Sequence, residues 1–188
     1  MTTAGPNGSG TQASVSGGGT SAWGTPSAAA TENGTGTEYD ATADASETLK
    51  LTNFGFSIPA GATINGITVR VKRKRMSSGA NMHDALIKLY KAGTLVGSNK
   101  ADTGTRWPTT FTFATYGSSS DLWGTTWSYS DINNSGFGVG IEGSLDIATS
   151  DNGNVDFADI SIDYTAGGGS TKVRRSMSLR SGSRGVIE

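Results

Sequence analysis

The residues that could carry out acid–base or nucleophilic chemistry are few in this sequence. His83 is the single histidine and there is no cysteine. A Ser-His-Asp triad would therefore have to use His83, and a thiol nucleophile is excluded. No G-x-S-x-G turn is present to expose a serine nucleophile. Because a lone histidine beside a strand is more often a surface or packing residue, the sequence favours a protein that is not an enzyme.

Two further segments contain residue types that bind ligands, but their spacing does not suit that task. Residues 138–143, GVGIEG, match the G-x-G-x-x-G pattern, but they lie within a strand pattern. A phosphate site requires this motif to open a helix, and here it opens none. One polar segment could offer oxygen ligands to Ca²⁺ through Asp151, Asn152, Asn154 and Asp156. Its spacing is not that of an EF-hand loop, and no glutamate closes it. We therefore predict no cofactor and no metal ion.

A run of basic residues is the clearest candidate for an interaction surface. In residues 67–75, ITVRVKRKR, apolar residues at positions 67, 69 and 71 alternate with Arg70, Lys72 and Lys74. The period of two predicts a strand with these three basic side chains on one face. They could form a charged outer face or protect a sheet edge, or they could contact an acidic partner. Nucleic acid is disfavoured because no aromatic residue is interleaved with these charges to stack on bases.

Composition indicates many short strands joined by turns. Of 188 residues, 28 are glycine, only 34% are hydrophobic and 16% are charged, which is unlike a helical protein. Without cysteine, no disulfide framework is possible. No segment is apolar for long enough to span a bilayer, and the N-terminus lacks the regions of a signal peptide. We therefore expect no membrane association and no export by the usual route.

The stretch from Asp121 to Gly143 is the one around which the other strands are organised. It contains Trp123 and Trp127, and an aromatic pair of this kind buries a large apolar area. Ser130 with Asp131 offers N-cap chemistry to at most one helical turn. Apolar residues at 137, 139 and 141 then alternate with glycine and glutamate, which predicts a strand with one buried face.

Similar alternation occurs along the rest of the core. It predicts strands near residues 49–56, 67–75, 83–90, 95–97, 110–113 and 158–164. The strands at 83–90 and 95–97 form a predicted hairpin, and residues 149–154 a predicted polar loop. Seven or eight strands at this spacing, with turns between them, describe an all-β fold: an antiparallel β-sandwich or jelly roll.

Three regions are predicted along the chain: a Gly/Ser/Thr-rich N-terminal arm (1–46), a β-sandwich domain (47–166) and a basic C-terminal arm (167–188). Residues 1–166 contain 10 Lys and Arg against 15 Asp and Glu, whereas residues 167–188 contain 5 against 1. An acidic body therefore has a basic tail. In isolation each arm could be a flexible extension, but each could also dock on a neighbouring subunit.

Candidate anchors for such docking are one tryptophan and several tail residues. Trp and Arg are enriched at binding hot spots. A leucine in the tail favours docking, because a fully solvated tail gains nothing from an apolar side chain. The candidates in the arms are Trp23, Lys172, Arg174, Arg175, Leu179, Arg180 and Arg184.

Four motifs follow one another between Leu49 and Ala166: LTNFGFSIPAGATINGITVRVKRKR, DLWGTTW, DINNSGFGV and VDFADISIDYTA. Their order resembles that of a β-sandwich module in virion structural proteins of tailed bacteriophages and prophages. In that module, a FGF-x-IP-x-GA-x-I-x-GI strand pair precedes a DLWG-x-x-W connection, a DIN-x-x-x-FGV strand and a final VD strand ending in Tyr. The resemblance implies a structural component of the virion with no catalytic residues, and it does not extend to the two arms.

The resemblance leads to one main expectation about function. We expect a capsid decoration (cement) protein that binds the major capsid protein or other virion proteins and stabilises the head surface. It would form a homo-oligomer, with neither nucleic acid nor membrane as a partner, and would enter the virion in the cytoplasm of the bacterial host. A neck, tail or fibre accessory protein is an alternative. A carbohydrate-binding or adhesin module is another, which would use Trp107, Trp123 or Trp127 as a sugar-stacking platform.

Overall fold

The regular secondary structure of the chain is almost entirely β-strand in our computed structural model, which describes residues 1–42, 45–76, 81–145 and 150–167. The strands are β1 (Thr2–Gly8), β2 (Thr11–Val15), β3 (Thr37–Thr42), β4 (Thr48–Thr52), β5 (Thr63–Arg75), β6 (Met82–Lys91), β7 (Thr94–Val96), β8 (Thr112–Ser118), β9 (Gly138–Leu145) and β10 (Ser150–Thr165). Two short helical turns accompany them, a 3₁₀ helix at Pro26–Ala30 and α1 at Tyr129–Ile132. No helix in the described ranges is long and apolar enough to cross a membrane.

The strands form two antiparallel sheets. The first sheet has the order β1–β10–β5–β8, and β3 pairs with the beginning of β10 on the same side as β1. The 16-residue strand β10 is long enough to pair with β3 and then β1 along one edge, and with β5 along the other. The second sheet has the order β2–β4–β9–β6–β7. The predicted hairpin of residues 83–90 and 95–97 is present as β6 and β7.

The core lies between the two sheets and is filled by alternate residues of the central strands. Ile67, Val69 and Val71 on β5 are fully buried, as their alternation predicted. Val139 and Ile141 on β9 are buried as well. Each such side chain contributes about 1.5–3 kcal/mol by leaving water. The prediction of an all-β antiparallel sandwich is therefore confirmed.

Residues 1–42 belong to the sandwich, which corrects the prediction of a separate arm over residues 1–46. β1 pairs with β10 and β2 pairs with β4, so this segment supplies an edge strand to each sheet. Its two large aromatic side chains, Trp23 and Tyr39, are buried in the core. Composition misled here because edge strands are held by backbone hydrogen bonds, which a lack of large apolar side chains does not prevent.

The glycines of this segment allow a close approach to β9. The backbone N–H of Gly18 donates to Oε1 of the buried Glu142 over 3.1 Å, and Thr48 Oγ1 donates to the same oxygen over 2.5 Å. A Cβ on Gly17 would collide with Thr48 Oγ1 and with the Glu142 carboxylate. Glycine is therefore required here by packing, and it does not mark a flexible linker.

The predicted polar loop at residues 149–154 is a strand over its described part. Ser150 opens β10, and Ser150–Val155 pairs with β3 along one edge. Asp151 and Asn154 are buried although they are polar. The prediction failed because the backbone of β10 is paired along its edges, whatever its side chains are. Since successive side chains of a strand point to opposite faces, the segment does not wrap around an ion as a calcium-binding loop would.

The stretch from Asp121 to Gly143 has the predicted helical turn and strand, but the cap lies two residues earlier than expected. Ser128, not Ser130, is the N-cap of α1. The Ser128 side chain accepts from the backbone N–H of Asp131, whose carboxylate accepts from the backbone N–H of Ser128 in return. β9 follows as the predicted strand.

Candidate interaction surfaces

Arg70, Lys72 and Lys74 lie together on the outer face of the first sheet. β5 runs between β10 and β8, so it is a central strand of that sheet. The interpretation of these charges as protection for a sheet edge is therefore wrong, and the charged outer face is the arrangement observed. Arg73, between them in sequence, points the other way and is buried.

Two of these three cations are paired with carboxylates of the same chain. The Arg70 guanidinium donates through Nε and Nη2 to the two oxygens of Asp159, over 3.0 and 2.5 Å. This hydrogen bonding to Asp159 raises the pKa of Arg70. The ammonium of Lys72 lies 2.9 Å from Glu32 and 3.0 Å from the buried Asp156. Hydrogen bonds to Glu32 and then Asp156 raise the pKa of Lys72.

Aromatic rings from the neighbouring strand and its approach lie between these cations. Lys74 Nζ stands 4.4 Å from the ring centroid of Phe111, and Arg70 Cζ stands 4.7 Å from that of Phe113. Such cation–π contacts contribute about 0.5–1 kcal/mol at exposed sites. The sequence-based argument against nucleic acid, that no aromatic residue is interleaved with the charges, is therefore wrong in its premise.

The outer face of the first sheet is nonetheless close to electrically neutral. Asp159, Asp156 and Glu32 balance three basic side chains, two of which they contact directly. Binding to a phosphate backbone draws its affinity from unpaired cations that release counterions. This face already has its counter-charges in place, so it has little to offer a polyanion or an acidic partner.

Trp23 is buried in the core and is not available to anchor a partner. Its assignment as an interface residue is therefore corrected. Only 2% of its surface is exposed. Its indole N–H donates to the backbone oxygen of Glu47 over 2.8 Å, and its ring centroid lies 4.7 Å from that of Tyr39. Trp23 fixes the N-terminal segment to the core. The tail candidates Lys172, Arg174, Arg175, Leu179, Arg180 and Arg184 lie outside the described residues.

The tryptophans proposed as a sugar-stacking platform are also core residues. Trp107 and Trp123 are fully buried, and Trp127 is 9% exposed. Their indole N–H groups donate within the chain, for example from Trp123 to the backbone oxygen of Ile67 over 2.9 Å. A sugar ring needs an exposed aromatic face, so the platform assigned to these three residues is wrong.

A buried carboxylate that sequence inspection missed joins the two sheets at one end of the sandwich. Oδ1 of Asp84 on β6 accepts from Arg73 Nε over 3.0 Å and from Trp107 Nε1 over 2.8 Å. Its Oδ2 accepts from the Tyr116 hydroxyl over 2.8 Å and from the backbone N–H of Asp102 over 3.0 Å. Burial, with the nearby Asp84 charge, raises the pKa of Tyr116.

One signal in the sequence pointed to this cluster. Position 73 continues the apolar series 67, 69 and 71 of β5, so the strand period places the Arg73 side chain inside. A buried guanidinium requires a carboxylate partner, because an unpaired charge is very costly to remove from water. The identity of that partner, Asp84, depends on the pairing of the sheets and was not readable from local pattern.

Beside this cluster, a groove of about 570 Å³ separates β8 from the segment that precedes it. Residues 113–118 of β8 form one wall, and Lys100, Asp102 and Arg106 contribute to the other. Arg73 lines the same groove although it is only 5% exposed.

Two carboxylates hold the shape of this groove. Asp102 Oδ1 accepts from the backbone N–H groups of Gly104 and Thr105, each over 3.1 Å. Asp121 accepts from the backbone N–H of Trp123 and pairs with Lys100 over 2.8 Å. Hydrogen bonding, to Thr105 for Asp102 and to Lys100 for Asp121, lowers the pKa of each carboxyl. Both carboxylates are therefore ionised, and each fixes the backbone of the segment that it contacts.

No arrangement for metal binding is present in the parts of the chain that the structure describes. Within residues 1–42, 45–76, 81–145 and 150–167, no three His, Asp or Glu side chains are grouped so as to hold an ion. The Nδ1 atom of His83 lies 3.0 Å from the backbone oxygen of Asp84, which orients the ring.

Comparison with known proteins gives no relative. No protein-family model, no curated protein and no solved structure matches this chain. Its function must therefore be inferred from its own residues and from the four motifs described above.

Proposed function

We propose that this chain is a structural subunit of a tailed-bacteriophage virion, and that it decorates the head surface as a homo-oligomer bound to the major capsid protein. The observation that carries the proposal is that residues of different motifs contact one another. Residues of the first three motifs that resemble the bacteriophage module contact one another inside the sandwich. Such residues define a scaffold, and a scaffold is the part that virion proteins would share.

The first and third motifs are joined by a side chain that bridges backbone. Asn133 of the DIN motif accepts from the N–H of Ile58 over 2.7 Å and donates to the oxygen of the same residue over 2.9 Å. Ile58 lies in the FGFSIPAGA motif. The asparagine side chain thus takes the place of a backbone partner for Ile58, which pairs with no strand of the described residues.

The second motif is joined to the first through both backbone polar groups of one residue, Ile67. The backbone N–H of Ile67 donates to the oxygen of Asp121 over 3.0 Å, and the Trp123 indole donates to the oxygen of Ile67 over 2.9 Å. The DLW segment therefore continues the pairing of β5 where β8 ends.

Aromatic packing completes the set. The Phe137 ring of the FGV motif lies 5.4 Å from Trp127 and 6.0 Å from Phe56 between centroids, both edge-on. Such pairs contribute about 0.5–1.5 kcal/mol beyond their buried area. Phe56, Trp127 and Phe137 are buried, and motif residues used in this way support a structural role.

The test is the copy number of this chain in particles of the phage or prophage that encodes it, measured by quantitative mass spectrometry against the major capsid protein. A ratio of the same order as the capsid protein is expected for decoration. A ratio matching a single ring or a few fibres would replace decoration by a neck, tail or fibre position. Absence from purified particles would overturn the proposal.

A further inference from the structure

The groove beside β8 is bordered by a free sheet edge. β8 is seven residues long and pairs with β5 on one side. On its other side, no strand of the described ranges pairs with it. Every second residue of an edge strand points its N–H and C=O away from the sheet, where they are open to pairing with another chain. Residues 113–118 of this strand line the groove.

Two arginines of this groove have donors without an acceptor among the residues that the structure describes. Arg73 gives its Nε to Asp84 and stacks 5.2 Å from the Trp107 ring, but its two Nη groups have no acceptor among the described residues. Arg106 gives its Nε to the side-chain oxygen of Asn81, a neutral acceptor. No carboxylate of the described residues forms an ion pair with Arg106.

The carboxylates in and beside the groove, in contrast, accept hydrogen bonds from the same chain. Asp84 accepts four hydrogen bonds. Asp102 and Asp121 accept from backbone N–H groups, and Asp121 also pairs with Lys100. Among the described residues, the donors that remain open in the groove are therefore those of Arg73 and Arg106, and a carboxylate fits the planar fork of an arginine.

We propose that the groove binds an extended polypeptide segment that adds to the free edge of β8 and places an acidic side chain on Arg73 and Arg106. A volume of about 570 Å³ is far larger than a single small anion needs and lies in the range of sites for larger ligands. Strand addition supplies affinity through main-chain bonds, and the side-chain contact supplies specificity. The proposal concerns the chain alone and stands whether or not the chain is a virion subunit.

The test uses three pools of end-capped seven-residue peptides, matching the length of β8. The flanking positions contain Thr, Val and Ser, and the central residue is Glu, Gln or Lys. Each pool is titrated into the full ¹⁵N-labelled chain. The Glu pool is expected to shift the backbone amide resonances of residues 113–118 and to bind about tenfold more tightly than the Gln pool. The Lys pool is expected not to bind.

Variants of the chain assign the effect to the arginines. Arg106→Gln, at an exposed position, should weaken binding of the Glu pool by about threefold. Arg73→Lys should weaken it more, because it removes the forked Nη donors. Lys88→Gln, which removes a cation from the other sheet, is the control and should leave binding unchanged. If Arg73→Lys does not fold, Arg106→Gln still decides the outcome.

Several results would overturn the proposal. These are no binding by any pool at about 1 mM, equal binding of the Glu and Gln pools, shifts confined to another surface, or equal loss in Arg106→Gln and Lys88→Gln. Inorganic phosphate is titrated in parallel. If phosphate alone binds as tightly as the Glu pool and displaces it, the groove is a small-anion site and the peptide proposal fails.

Discussion

At the scale of single residues, the buried carboxylate of Asp84 connects three parts of the fold. It receives donors from Arg73 and Tyr116 of the first sheet, and from the segment that holds Trp107. It lies on β6 of the second sheet. A polar tie of this kind fixes how the two sheets are aligned, which apolar packing alone specifies less strictly.

Asp84→Asn tests this tie. The substitution leaves the Arg73 guanidinium buried without a counter-charge, so we expect a loss of about 3–5 kcal/mol in the free energy of unfolding. Urea denaturation at neutral pH measures it. Asp40→Asn, at an exposed position of β3, is the matched control and should change stability by less than about 0.5 kcal/mol. A loss below about 1 kcal/mol for Asp84→Asn would contradict the role given to this residue.

Tyr39 predicts how stability depends on alkaline pH. Burial, together with the nearby Asp151 and Asp84 charges, raises the pKa of its hydroxyl, so the native state keeps the proton. The unfolded chain loses it near pH 10. Above about pH 10 the unfolded state therefore binds fewer protons than the native state, and stability falls as pH rises. Tyr116 acts in the same direction.

Tyr39→Phe should reduce this alkaline loss by up to about 1.4 kcal/mol per pH unit. At neutral pH it should stabilise the protein by up to about 1 kcal/mol, because the hydroxyl is buried without a hydrogen-bond partner among the described residues. Tyr116→Phe also reduces the alkaline loss but should lower stability at neutral pH, since Asp84 loses a donor. Urea midpoints between about pH 8 and 11 compare the variants; an unchanged slope in Tyr39→Phe would refute the assignment.

At the scale of elements, sequence alternation predicted β5, β6, β7 and β9 because each has one apolar face. It missed β1, β2, β3 and the start of β10. Those strands have few apolar residues and are held by pairing with strands distant in sequence, such as Thr2 with Tyr164. Pairing of that kind leaves no local periodic signal, so only the complete sheet reveals it.

The segment around Gly17 gives a prediction at this scale. Gly17→Ala would push a Cβ against Thr48 and the Glu142 carboxylate, so we expect a loss of about 1–3 kcal/mol and a lower melting temperature. Gly104→Ala is the control, because its Cβ would lie 3.7 Å from the nearest atom, Asp102 Oδ1. Equal melting temperatures for the two variants would mean that the segment is loosely held.

At the scale of the whole molecule, the fold class could be predicted from sequence, but the groove beside β8 could not. The period of β5 placed Arg70, Lys72 and Lys74 on one face, yet their charges are met by residues far apart in sequence, such as Glu32 and Asp159. Arg73, hidden among them, is the residue that faces a groove. The local sequence pattern predicts the direction in which a side chain points. Whether its charge and hydrogen-bond donors already have partners depends on residues distant in sequence.

Removal of residues 168–188 tests the role of the basic tail in the proposed virion subunit. The truncated chain should keep its melting temperature, because the ten strands described above all lie within residues 2–165, and it should be lost from particles. Particle occupancy is compared with the full chain by quantitative mass spectrometry. Full occupancy of the truncated chain would remove the tail from the interface, and a lowered melting temperature would assign it to the fold instead.

The pairing of β1 with β10 has a mechanical consequence. Thr2 lies opposite Tyr164, so the start of β1 and the end of β10 meet at the same end of the first sheet. Tension applied between those two points peels the strands apart one hydrogen-bonded pair at a time, and does not shear all the pairs together. A pull between the first and last strands is therefore resisted by only a few hydrogen bonds at a time.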